Sequence, residues 1–365
     1  MNFALSDEQE LLREAARGAL SRVATLEGAR GALDGEGLPD LWPMAVEAGW
    51  PGMLVGEERG GAGLGVMDAL LVFAELGRVL ASVPLLGHLP ASWLLDRAAH
   101  PAAGGCADGS LRAAFVPARP PTAVESAWTV DPLLGLGRAA VPVLENGALR
   151  GEVAWVPDAP GADVLVVVCS GGSVALVQAS DAGVEPVTRY DATRSLGHVR
   201  FDGAPAERLD ADAATAWHMA QSLLAAECLG AVERALEMSI GYAKERFTFG
   251  RAIGSYQAVK HELVEILRRL ENARSLMYYA GWAADDVPAE FPLAAGAFRL
   301  VAGEALDHAA RTQISVHGGI GATWEHDAPL YFRRAQLSRR LLGRTEDAAD
   351  RVADELFAEA LARAA

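Results

Sequence analysis

Three stretches of this 365-residue chain carry residue types at spacings that could do chemistry. The first is Tyr242-Ala-Lys-Glu-Arg-Phe-Thr-Phe-Gly-Arg-Ala-Ile-Gly-Ser-Tyr-Gln257. Arg246 is permanently charged and offers a fork of donors that suits phosphate oxygens. Gly250 and Gly254 permit a close approach where a helix ends. Taken alone, Arg246 could equally be a surface arginine ahead of a helix–loop corner. The chain's only two lysines, Lys244 and Lys260, fall in or beside this stretch, in a sequence that otherwise takes its positive charge from arginine. The second stretch is His317-Gly-Gly-Ile-Gly-Ala-Thr-Trp-Glu-His-Asp327. Gly318, Gly319 and Gly321 would let main chain lie against a ligand with no side chain between. A helix C-cap is the competing explanation, and both can hold together. The third is Glu227 in Leu223-Leu-Ala-Ala-Glu-Cys-Leu-Gly230, a carboxylate in an apolar run. It could be a general base with its pKa raised by dry surroundings. It could also be a helix-pairing carboxylate satisfied by an arginine such as Arg234.

The elements that must position these residues follow an α, β, α order. Ser6 precedes Asp7-Glu-Gln-Glu10 and then apolar residues at helical spacing, which predicts a capped, acid-started helix. Helical patterns recur to about residue 100, interrupted by the glycine loop 56–65; residues 67–80 predict one buried helix. From 106 to 210 proline and glycine become frequent. Short β-rich runs appear at 164–168, 174–178 and 198–201, with Ser170-Gly-Gly-Ser173 as a hairpin turn between the first two. Helical spacing returns at 211 and persists. The boundaries expected are a helical domain over 1–105, a β-domain over 106–210 and a second helical domain over 211–365.

Bulk properties narrow the function class. A hydrophobic content of 51% with 22% charged residues is that of a globular chain. No apolar run reaches the roughly 18–20 residues that span a bilayer. Three scattered cysteines form neither a metal spacing nor a disulfide framework, so no metal site is expected. The acidic, polar start is unlike a signal peptide, and the expectation is a cytoplasmic, reducing location. A net charge of −16 argues against nucleic acid or an anionic membrane as partner. It leaves room for a phosphate-bearing ligand held by a few local arginines.

The first stretch resembles the Arg-x-x-Phe-Gly…Gln signature of the acyl-CoA dehydrogenase family, and the second resembles that family's Gly-Gly-x-Gly segment. Ala48-Gly-Trp50 with the loop 56–63, and Glu75-Leu-Gly-Arg78, are similar to its N-terminal loop and the helix that follows. The resemblance spans essentially the whole chain. It implies an α+β multidomain fold: an N-terminal helical domain, a middle β-barrel and a C-terminal four-helix bundle. It implies FAD as cofactor, an acyl-CoA or related acyl thioester as substrate, and an electron-transfer flavoprotein as electron acceptor. It also implies a homo- or heterotetramer in which one subunit contacts its neighbour's FAD. Carried over residue by residue, Arg246, Thr248, Phe249 and Gln257 fall at the pyrophosphate end. Gly318, Gly319 and Gly321 fall at the adenosine end, with Ser315 where the family usually has glutamine. Trp155 falls on the tryptophan against the flavin ring.

Departures from the family pattern concentrate where the ring and the reacting carbon atoms should lie. Pro157 stands where a threonine donates to the ring edge, and proline has neither hydroxyl nor N–H. The ring-contacting motif expected between Leu111 and Val130 has no counterpart. In the family a glutamate removes the α-proton; its two usual seats fall on Leu342 and Ala220. Glu227, two helical turns beyond Ala220 on the same face, is the remaining candidate base. Three readings follow: a self-sufficient dehydrogenase; the supporting subunit of a heteromeric enzyme, similar to short bacterial steroid-side-chain members; or a member diverted to another acyl-thioester reaction in secondary metabolism.

Overall fold

The computed structural model describes residues 4–117, 141–187 and 191–364. The chain opens with α1 (Asp7–Leu20), where Ser6 Oγ accepts from Gln9 N at 3.2 Å and Gln9 Oε1 accepts from Ser6 N at 3.1 Å. This reciprocal cap satisfies two donors that the helix start would otherwise leave unpaired, and Asp7, Glu8 and Glu10 face the positive end of the helix dipole. Then come α2 (Thr25–Leu33), α3 (Trp42–Glu47), α4 (Val66–Arg78), α5 (Leu85–Arg97) and α6 (Ala102–Ala107).

The strands form two four-stranded sheets. One holds β1 (Ala113–Val116), β4 (Val164–Val168), β5 (Val174–Gln178) and β8 (Glu207–Leu209); the other holds β2 (Val143–Glu145), β3 (Ala148–Pro157), β7 (Leu196–Pro205) and β6 (Gly183–Pro186). The hairpin expected at 170–173 joins antiparallel β4 and β5. Side-chain alternation explains why Val164-Leu-Val-Val-Val168 is apolar throughout. Val164, Val166 and Val168 enter the helical core, whereas Leu165 and Val167 enter the core between the sheets. Both faces of β4 are covered, so none of its positions needs a polar residue.

The C-terminal part is built from α7 (Ala213–Glu245), α8 (Gln257–Asp286), α9 (Phe291–His317) and α11 (Thr345–Ala364), with α10 (Ala328–Ser338) between the last two and a two-stranded hairpin of β9 (Phe247–Thr248) and β10 (Arg251–Ala252) after α7. The expected order, helical then β then helical, is what the structure shows. No helix among the described residues is long and apolar enough to cross a membrane.

The Glu75-Leu-Gly-Arg78 motif joins the N-terminal helices to this bundle. A Cβ added at Gly77 would meet Glu227 O at 1.9 Å, and one at Gly230 would meet Ala74 O at 1.7 Å, so α4 and α7 cross at backbone contact. Glu75, 3% exposed, accepts from Arg17 Nε at 2.9 Å and from Arg17 Nη2 at 2.8 Å. Arg78 pairs with Glu233 and Glu237 at 3.1 and 2.8 Å. Within α5, buried His88 accepts at Nδ1 from Ala113 N (3.1 Å), which places its proton on Nε2, facing Cys106 O at 3.2 Å. Burial pushes its imidazole down to about 4.

Candidate functional site

Helix α7 ends at Arg246, its C-cap, and the chain turns through β9 and β10. Phe249 (φ 53°) and Gly250 (φ 80°) make the turn in the left-handed region, which glycine adopts without penalty. The hairpin is tied down by Arg246 O accepting from Ile253 N at 2.8 Å and by Tyr256 Oη donating to Thr248 O at 3.0 Å. Its apolar tip faces outward: Phe247 is 63% exposed and Phe249 91%. Arg246 and Gln257 are exposed too, and Arg246 has no ion-pair partner among the described residues.

Helix α9 ends beside it. Gly318 takes φ 63°, ψ −139°, a conformation essentially reserved for glycine, and turns the chain sharply at the helix end. A Cβ at Gly321 would meet His317 Cβ at 2.7 Å; Gly319 and Ser315 face open space. The two motifs are joined by rings. Tyr242, four residues before Arg246, lies 4.5 Å from His317, and His317 lies 4.2 Å from His326. Burial lowers the pKa of both histidines, and His317 depresses His326 further. This corner of the chain therefore carries an exposed guanidinium, an unshielded glycine turn and tilted rings of which His317 is buried. That donor set fits the pyrophosphate and adenosine end of a dinucleotide.

The other candidate residues lie elsewhere. Glu227 precedes Arg246 by 19 positions on one helix, about 28 Å along the axis, so the two do not share a site within this chain. Glu227 is 4% exposed, but Arg234 is not its partner. Residues seven apart share a face yet sit about 10 Å apart axially, and Arg234 turns to Glu237 instead, at 3.4 Å. Glu227 Oε2 accepts from Arg194 Nη2 at 2.6 Å, and its other oxygen contacts the Arg334 guanidinium. Arg334, 1% exposed, donates from Nε to Asp191 Oδ2 (2.9 Å) and from Nη2 to Thr193 O (3.1 Å). Asp158 Oδ2 accepts from Gly87 N at 2.8 Å, and burial raises its carboxyl to about 6. Burial likewise pushes Arg334 down, to about 10. The space left among Phe73, Leu86, Asp158, Arg194 and Glu227 is about 10 Å³, room for a single water.

The two seats where a base was sought are adjacent and apolar. Ala220 is fully buried, and Gln221 beside it donates from Nε2 to Leu342 O at 3.0 Å. Leu342 is itself buried, with φ 53°. Arg299, also buried, holds the carbonyls of Leu341 and Gly343, each at 3.2 Å. Trp155 sits at a register shift in β3 with φ 59°; it packs toward the helical core, edge-on to His198 at 4.5 Å. Pro157 ends β3 opposite Leu196. Of the stretch from Leu111 to Val130, residues from 118 onward lie outside the described ones. Sequence reasoning missed Asp158, Asp191, Arg194 and Arg334.

These features have counterparts in known proteins. Residues 6–101 match the acyl-CoA dehydrogenase N-terminal domain family and residues 212–357 match its C-terminal domain family. The chain is 32% identical to the acyl-CoA dehydrogenase IpdE2 of Mycolicibacterium smegmatis over 97% of this chain and 100% of that one. It is 34% identical to IpdE2 of Mycobacterium tuberculosis, over 96% and 98%. Among solved structures, a chain of the ChsE4–ChsE5 complex from Mycobacterium tuberculosis superposes with TM-score 0.84 at 25% identity, covering 98% of this chain and 99% of that one.

Proposed function

The chain belongs to the acyl-CoA dehydrogenase family of flavin-dependent oxidoreductases, and from that premise we propose that it is the supporting subunit of a heteromeric enzyme. Its partner, a homologous chain, would carry the base and the flavin-ring contacts. This chain would hold the pyrophosphate and adenosine of the partner's FAD through Arg246, Thr248, Phe249, Gln257, Gly318, Gly319 and Gly321. Bound FAD supplies the acceptor for hydride from the acyl β-carbon; this chain positions and neutralises its phosphates. The reaction is α,β-dehydrogenation of an acyl-CoA, with an electron-transfer flavoprotein taking the electrons. The 27% identity to a chain of the Tcur3481–Tcur3483 steroid ACAD makes a bulky, ring-bearing acyl group the first substrate class to try.

One observation carries the reading. The outward-facing loop at Arg246 is intact, while both base seats, the one on helix α7 about 39 Å from it along the axis, are filled by Ala220 and Leu342. On this reading Glu227 is a structural carboxylate: the guanidinium groups of Arg194 and Arg334 occupy it, and a base must be free to reach the substrate. The test is the visible spectrum and native mass of the chain, purified alone and after co-expression with homologues from its genomic neighbourhood. Flavin bands and acyl-CoA turnover only in a mixed oligomer are expected. A yellow homomer bleached by an acyl-CoA would overturn the proposal.

A further inference from the structure

We infer that His317 and His326 form a paired acceptor and donor that selects adenine at the base end of the dinucleotide. The inference rests on the supporting-subunit reading and deepens it. That reading gives this corner its phosphate and glycine contacts; the two rings add a choice of base.

The backbone fixes which nitrogen of each ring carries the proton. His317 Nδ1 lies 2.7 Å from Gln313 O, one turn earlier on α9. A carbonyl only accepts, so Nδ1 holds the proton and Nε2 of the neutral ring is a bare acceptor. His326 has the opposite arrangement. Its Nδ1 accepts from Ala328 N at 3.0 Å, at the start of α10, so its proton sits on Nε2. Both rings are neutral at pH 7, since burial lowers the pKa of each. Neither Nε2 makes a hydrogen bond among the described residues. His317 is 4% exposed, and its Nε2 is not one of the buried polar atoms without a partner, so the ring meets solvent at that tip.

The two tips share one rigid corner. The ring centroids lie 4.2 Å apart at 51°. The glycine turn runs against His317, whose Cβ would be 2.7 Å from a Cβ added at Gly321, while Gly318 and Gly319 face open space. Arg30 of α2 donates to Trp324 O at 3.3 Å and pairs with Asp327, which holds the backbone on both sides of His326. Tyr242 packs on His317 at 4.5 Å and precedes Arg246 by one turn of α7, about 5–6 Å. Rings and guanidinium are therefore within the span of one nucleoside diphosphate.

An acceptor and a donor of fixed sense, side by side, call for a ligand edge with a donor beside an acceptor. Adenine offers its 6-amino group next to a ring nitrogen. The amino group suits His317 Nε2, and the ring nitrogen suits the His326 Nε2–H. Hypoxanthine carries an oxygen at position 6 instead. Two acceptors then face each other at His317, and a polar group held without its partner is costly.

Equilibrium binding of ADP and inosine diphosphate to the mixed oligomer freed of flavin tests this. The two share ribose and both phosphates, so the ratio of their dissociation constants reports on the base alone. Expected is ADP binding tighter by about tenfold or more, the scale of one matched base edge. His317→Phe keeps an aromatic ring and removes the acceptor. His326→Asn keeps an acceptor for Ala328 N and removes the donor. Each should bring the ratio to within about threefold of one. His326→Gln, whose amide N–H extends to the place of Nε2, should retain most of the preference. Rings that merely held the corner together would weaken both nucleotides and leave the ratio alone. Equal binding by the native oligomer, or a ratio unmoved in both variants, would overturn the inference. Arg246→Ala separates the two readings, because it should weaken both nucleotides about tenfold at constant ratio. Binding indifferent to Arg246 would sink the supporting-subunit reading. Binding that depends on Arg246 but shows no base preference would sink the adenine inference alone. Binding of neither nucleotide would overturn both.

Discussion

Removing the Arg334 guanidinium should cost far more than its single side chain suggests. It is 1% exposed and serves Glu227, Asp191 and Thr193 at once. Arg334→Met would leave Glu227 with Arg194 alone and Asp191 with only the Thr193 N–H and hydroxyl. Breaking a buried pair from one side costs about 3–5 kcal/mol, because a charge remains in the interior uncompensated. Taking an unfolding entropy of about 2.1 cal/mol/K per residue over the 365 residues, that corresponds to a Tm lowered by about 4–7 °C if the chain melts as one unit. Removing both sides should cost less than the sum. Arg334→Met with Glu227→Leu leaves Arg194 and Asp191 as opposite charges, and the coupling between the two sites should reach about 1–3 kcal/mol. Thermal unfolding followed by circular dichroism at neutral pH gives all four corners of the cycle. Raising the salt should leave the result nearly unchanged, since screening acts weakly on pairs out of reach of solvent. A single-variant loss below about 1 kcal/mol, or strict additivity in the double variant, would refute the claim that these charges satisfy one another.

Other outcomes follow from features away from that pair. Gly230→Ala should destabilise by about 3 kcal/mol or more, since its Cβ would sit 1.7 Å from Ala74 O and α4 would have to move off α7; a urea midpoint equal to the native one would contradict the crossing. Arg246→Ala should leave the melting temperature of the isolated chain within about 1 °C, because the side chain is exposed and unpaired, yet flavin retention by a mixed oligomer should fall at least about tenfold. Acid should destabilise the chain as pH falls from 6.5 toward 4, because His88 and His218 are both pushed down to about 4 by burial; each group accounts for up to about 3 kcal/mol, read as a falling urea midpoint. Asp158 acts with the opposite sign. Its carboxyl is raised from 3.8 to about 6, so its penalty is absent below about pH 4 and complete above about pH 6. Asp158→Asn keeps an acceptor for Gly87 N; it should raise stability at pH 8 and make the acid-side loss steeper.

Much of the fold was legible because its causes are local. The Ser6 cap, the hairpin at 170–173 and the valine run of β4 each depend on neighbours a few residues away or on alternation along one strand. The residues near Arg246 and Gly318 were legible for the same reason. A C-cap, a left-handed turn and a helix-ending glycine leave a sequence pattern because the backbone itself demands it. Glu75-Leu-Gly-Arg78 was visible as a motif, but its physical meaning, a glycine crossing flanked by ion pairs at Glu75 and Arg78, needed the packed helices.

The ion partners of Glu227 and Asp191 were not legible in this way. Arg194 and Glu227 are 33 positions apart and Arg334 and Asp191 are 143 apart, and no periodicity links residues at such separations. The helical spacing that made Arg234 a plausible partner for Glu227 was right about the face and wrong about the distance. The burial of Glu227 was therefore foreseeable, whereas the identity of its counter-charges was not. That difference bears on function. A carboxylate alone in a dry helix invites assignment as a base, because burial would favour its protonated form. The same carboxylate in contact with two guanidinium groups is occupied. For a family whose chemistry needs a free carboxyl beside a flavin ring, the presence of a buried glutamate is weaker evidence than the absence of its partners. Here the partners are present, and the proposed division of labour between two homologous subunits rests on them.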